Sequence, residues 1–73
     1  DNDMKIYEYL GVALAMIAYP LIVTGNVMIG ATLGIISSSL LILYFGQNKS
    51  FPSVGLQIYF VFANMYGLYN LGI

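Results

Sequence analysis

From Tyr9 to Asn48 the chain runs for 40 residues without a charged side chain. A single helix of that length would extend about 60 Å at 1.5 Å per residue. That is twice the roughly 30 Å hydrocarbon core of a bilayer, so the stretch has to fold back once. Thr24-Gly25-Asn26 is the strong turn signal inside it. Gly25 suits the left-handed position after a helix, and Asn26 suits an N-cap. The pattern predicts a first helix over about 6–23 and a second over about 27–45. Gly46 to Ser50 forms the next loop, with Gly46 closing helix two and Ser50 capping helix three. Pro52 falls in the first turn of that helix, where a missing N–H is harmless. The third helix is predicted over about 51–71, and residues 1–73 read as one three-helix domain.

Composition decides which solvent these helices meet. The chain is 60% hydrophobic and only 7% charged, against roughly 25% charged in soluble domains. A soluble domain this small needs polar residues to cover its surface. The charge deficit therefore points to an all-α membrane protein, a three-transmembrane-helix bundle in contact with the lipid bilayer. Lipid-exposed backbone must bond internally, which leaves helices, and the chain is too short for a barrel. Lys5 and Lys49 fall on the same side of a three-span bundle, so the positive-inside rule puts the N-terminus in the cytoplasm. Tyr7, Tyr9, Tyr44, Phe45, Phe51, Tyr66 and Tyr69 sit near helix ends, as an aromatic belt would. No cleavable signal peptide is evident. Met4 is read as the natural start, with Asp1-Asn2-Asp3 a cloning remnant.

Several functions are excluded early. Two cations cannot neutralise a phosphate backbone, so no nucleic-acid partner is expected. Cys and His are absent, which removes disulfides, thiol catalysis and the usual zinc ligands. There is no nucleophile with a base, no paired carboxylate in the membrane and no phosphate-cradling loop. The chain is not expected to be an enzyme, nor to hold a metal or cofactor. Glu8, at the entrance of helix one, reads as a solvated interfacial charge.

The informative residues are those that lipid should reject. Gln57 and Asn64 are seven apart and share one face of helix three. Each amide is costly to leave unpaired in hydrocarbon, so that face must meet protein or a water-filled cavity. The two amides either read a substrate or bind a neighbouring helix. Tyr59 and Tyr66 fall on the opposite face. In helix two, Gly30-Ala31-Thr32-Leu33-Gly34 is a GxxxG motif that Ser38 extends by another turn. Such a stripe admits a close helix neighbour, in a dimer or, the preferred reading, within the three-helix unit. The hydroxyls of Ser37, Ser38 and Ser39 are expected to bond back to the preceding turn. Pro20 is either a hinge in helix one or the approach to its end.

At helix three the residues meet a resemblance. Val54-Gly55-Leu56-Gln57-Ile58-Tyr59-Phe60, then Asn64-Met65-Tyr66-Gly67-Leu68-Tyr69-Asn70, resembles the last helix of a repeat in the nicotinamide riboside transporters of the PnuC type. Glu8 and Gly11 in helix one, and Ile29-Gly30 and Leu43-Tyr44-Phe45 in helix two, are compatible with such a repeat. The family's two tryptophans after the Gly fall on Leu68 and Leu71, and this chain has no Trp. Those transporters are similar in architecture to the SWEET sugar transporters, built from two three-helix repeats, and SemiSWEETs are single repeats that dimerise. The resemblance implies one SWEET/PnuC-like repeat. Its substrate-binding residues would be Gln57, Asn64, Tyr66 and Asn70, with Pro20 as hinge and Gly30, Gly34 and Ser38 for helix packing. Single-repeat SemiSWEETs place helix three between helices one and two, and the tight turn at Gly25 sits uneasily with that order.

The implied function is a half-transporter. Two copies in a homodimer would carry a small polar molecule, such as a nucleoside or sugar, by facilitated diffusion. The alternatives are a small accessory subunit of a larger membrane complex and a holin-like pore former.

Overall fold

The computed structural model describes residues 2–72, with side chains from Lys5 onward. Asp1 lies outside the described residues, and the side chains of Asn2, Asp3 and Met4 lie outside them too. The reading of Met4 as a start falls there. Three helices follow in order: α1 Asn2–Val23, α2 Val27–Gln47 and α3 Phe51–Asn70. Each boundary lies within a few residues of the expected one. The largest difference is at α1, which begins four residues before position 6.

The two turns share one geometry, supplied by different residues. Gly25 has φ +100°. Its N–H donates to the Ile22 carbonyl at 3.2 Å, and the Asn26 N–H donates to the Leu21 carbonyl at 2.8 Å. These are the paired bonds of a Schellman motif, with the left-handed residue just past the helix. The second turn repeats the pattern with Lys49 N–H to Gly46 at 3.2 Å and Ser50 N–H to Phe45 at 2.9 Å. Here the left-handed residue is Lys49, at φ +56°, and Gly46 stays inside α2. Gly46 is therefore not the residue that closes helix two. A Cβ in the left-handed region costs roughly 1–2 kcal/mol. Gly25→Ala should lower stability by about 1 kcal/mol and Lys49→Gly should raise it by about as much. Detergent-unfolding midpoints would check this, and equal midpoints for parent and variants would refute it.

Neither expected N-cap acts through its side chain. Asn26 and Ser50 occupy the cap positions but make no capping bond. The Schellman turns hold them at ψ 59° and 73°, short of the extended backbone from which a cap side chain reaches the first N–H groups. Ser50 Oγ pairs instead with Ser53 Oγ at 3.0 Å. Pro52 sits in the first turn of α3, as expected. α1 is assigned as one helix through Pro20, which is exposed one turn from the helix end.

α2 is the central helix. It packs against both α1 and α3, while α1 and α3 do not approach each other among the described residues. This order, one–two–three, differs from the one–three–two order of single-repeat SemiSWEETs. It follows from the sequence, because turns this tight bring consecutive helices side by side.

The α1–α2 seam is built from small residues. A Cβ on Gly30 would lie 2.9 Å from the Ala18 carbonyl oxygen and from the Ile22 nitrogen. One on Gly11 would lie 3.2 Å from the Ser37 carbonyl and 2.7 Å from Leu41 Cγ. Ala18, Ala31 and Leu41 are the buried apolar residues of the core. The large apolar side chains point outward: Met16, Val23, Phe62 and Tyr69 are all more than 60% exposed.

α1 and α2, from Lys5 to Val23 and from Val27 to Gln47, are long and apolar enough to cross a bilayer. α3 has the length but less apolar character than the three apolar spans expected from the sequence would require. Its 20 residues include Ser53, Gln57, Asn64, Asn70 and three tyrosines, and these dilute its apolar character.

Candidate binding cleft

Because the backbones of α1 and α3 stand apart on either side of α2 among the described residues, a cleft opens between them over the small residues of the α2 surface. Its volume is about 360 Å³. The floor is Gly34, Ser37, Ser38 and Leu41 of α2. One wall is Ala15, Ala18, Tyr19 and Ile22 of α1, and the other is Gln57, Tyr59, Phe60, Ala63 and Asn64 of α3. No charged side chain is among the lining residues.

Gln57 and Asn64 both face this cleft, as their shared helical face requires. Gln57 is 8% exposed and Asn64 is half-buried. Asn64 lies against the backbone of α2: a Cβ on Gly34 would meet its Nδ2 at 2.5 Å. Ser38, on the cleft floor, is buried as well. Among the described residues, neither amide nor the Ser38 hydroxyl has a hydrogen-bond partner. Nor is any of their polar atoms sealed away from a small probe. Three neutral polar groups therefore open onto one apolar-walled space with their hydrogen-bonding capacity unused.

The other residues singled out from the sequence lie elsewhere. Tyr66 is 66% exposed and Asn70 is exposed in the last turn of α3; neither lines the cleft. Tyr59, expected on the opposite face of α3, is among the residues lining the cleft while remaining largely exposed. The GxxxG pair divides between two neighbours, Gly30 under α1 and Gly34 under Asn64 of α3. The stripe is taken up inside the chain.

The serine triplet behaves less uniformly than expected. Ser39 Oγ does bond back to Ile35, at 2.9 Å, and Thr32 does the same to Met28. Ser37 Oγ instead donates across the seam to the Gly11 carbonyl of α1. That carbonyl is reachable because neither Gly11 nor Ser37 carries bulk at the crossing. The only sequence signal for this bond was a small residue near each helix's crossing point.

Fold and cleft together define a small helical bundle with an uncharged, hydrogen-bonding groove on one face. Residues 5–69 match the family described as Domain of unknown function (DUF8641), and the chain belongs to that family. No curated protein and no solved structure matches the chain.

Proposed function

We propose that the chain is an integral membrane half-carrier: two copies form a homodimer whose clefts together take up a small, neutral, polar molecule. The observation that carries this reading is the convergence of Gln57, Ser38 and Asn64 on one cleft with no partner among the described residues. Each amide carries both donors and an acceptor, and a cleft that presents two of them is suited to a ligand that bonds to both. Its volume lies at the lower end of the 300–1,000 Å³ typical of small-molecule sites, a fit for a nucleoside or a sugar.

Residence in a bilayer is supported by the distribution of burial. Only 11% and 28% of the two long apolar spans are buried within the bundle. A soluble protein does not hold its most apolar helices with most of their surface outward. In this reading α3 is the third span, with its amides turned to the cleft and its apolar residues to lipid. Lys5 and Lys49 lie at the same end, and the positive-inside rule puts that end in the cytoplasm. With no acidic or basic group lining the cleft, passage needs no coupled proton and runs as facilitated diffusion.

The test is native mass spectrometry of the chain in lipid, with and without nucleosides and sugars, followed by uptake into liposomes. A two-chain species that retains one small molecule is the expected result. A chain found only with a larger protein would overturn it in favour of an accessory subunit. One observation favours that second reading: the gap between α1 and α3 is open along one side, where a partner's helix could lie.

A further inference from the structure

The two glycines of the GxxxG motif meet different kinds of atom. Around Gly30 the nearest atoms include backbone of α1, which cannot step aside unless the helices part. Around Gly34 they all belong to the end of the Asn64 side chain, with Nδ2 at 2.5 Å, Cγ at 3.1 Å and Oδ1 at 3.4 Å from where a Cβ would stand. The Asn64 amide is thus seated on bare α2 backbone and can move by rotating about its own χ angles.

We infer that Gly34 is a positioning residue for the cleft: by lacking a Cβ it seats the Asn64 amide against the α2 backbone and keeps the space between α1 and α3 open. This rests on the carrier reading above, since it assigns Gly34 a role in holding that site. A methyl group at position 34 removes the seat. The helices need not separate, so the bundle survives, and the amide swings outward. The space available to it is the cleft, whose α1 wall includes the short side chains of Ala15 and Ala18. The hydrogen-bonding group and the open volume are therefore set by one atom's absence on a different helix.

The absence of cysteine from the sequence allows a readout independent of transport. Ala15→Cys, in the cleft wall facing α3, is introduced alone, with Gly34→Ala, and with Gly34→Ala and Asn64→Ala together. Each protein in lipid is treated with a small cationic methanethiosulfonate reagent, which modifies cysteines in contact with water. The single variant should react readily. Adding Gly34→Ala should slow modification about tenfold, because closely packed side chains exclude the reagent. Removing the displaced amide with Asn64→Ala should restore the rate. The slowed rate itself shows that Gly34→Ala has not unfolded the bundle, since unfolding would expose the cysteine and speed its modification. Equal rates with and without Gly34→Ala would overturn the positioning role and leave the carrier reading standing. A cysteine that does not react in the Gly34 parent would mean a dry cleft, and both would fall.

Discussion

Gly30→Ala is expected to force α1 and α2 apart and to be among the most damaging single-methyl additions in the chain. The added Cβ would stand 2.6 Å from Ile22 Cγ1 and 2.9 Å from both the Ala18 carbonyl oxygen and the Ile22 nitrogen. Ile22 could change rotamer, but the two backbone atoms cannot. Overpacking of this kind costs up to about 3 kcal/mol, while alanine's better helix propensity returns about 1 kcal/mol. The net loss is about 2 kcal/mol. It would be read as an earlier midpoint in detergent unfolding followed by circular dichroism. Gly34→Ala, which meets only a movable side chain, should retain the parent midpoint or exceed it. If the two variants behaved alike, the division of the motif between two neighbours would be wrong.

Asn64→Leu is expected to separate function from folding. Leucine has nearly the shape of asparagine, and Asn64 has no hydrogen-bond partner among the described residues to lose. The bundle and any dimer should therefore persist, and removing an unpaired amide from an apolar setting should leave stability unchanged or slightly higher. A ligand in the cleft would meet a methyl group where it had met a donor and an acceptor. One unmade buried bond of about 2 kcal/mol corresponds to roughly 30-fold weaker retention. Liposome uptake should fall accordingly, with the two-chain species still present by mass spectrometry. Wild-type uptake in Asn64→Leu would sink the assignment of this amide to the ligand.

Much of this architecture could be read before any coordinates. The helix boundaries followed from charge placement and from Gly25, because a left-handed turn residue marks a helix end strongly. The second turn was harder to read. Gly46 drew the assignment that belongs to Lys49, since the register of a Schellman turn is decided by the whole helix end and not by where a glycine stands. Gln57 and Asn64 were legible as a pair, because a seven-residue spacing depends only on helical geometry. Tyr66 and Asn70 entered through resemblance to a transporter helix, and here they project outward. The cross-seam bond from Ser37 to Gly11 was not legible. It depends on how two helices are set against each other, which no single-helix pattern carries. The same is true of the Gly34–Asn64 seat.

The central position of α2 also bears on how such a chain would be made. The α1–α2 seam uses nothing from α3, so a helical hairpin over Asn2–Val23 and Val27–Gln47 can close before α3 docks. α3, the helix without a long apolar span, then arrives to find a completed surface that offers Gly34 and Ser38 to its amides. Were α3 the middle helix, α1 and α2 would have to wait apart for it, and the first seam would form last. In the order observed here, the helix that bilayer lipid would accept least readily is the one for which a docking partner already exists.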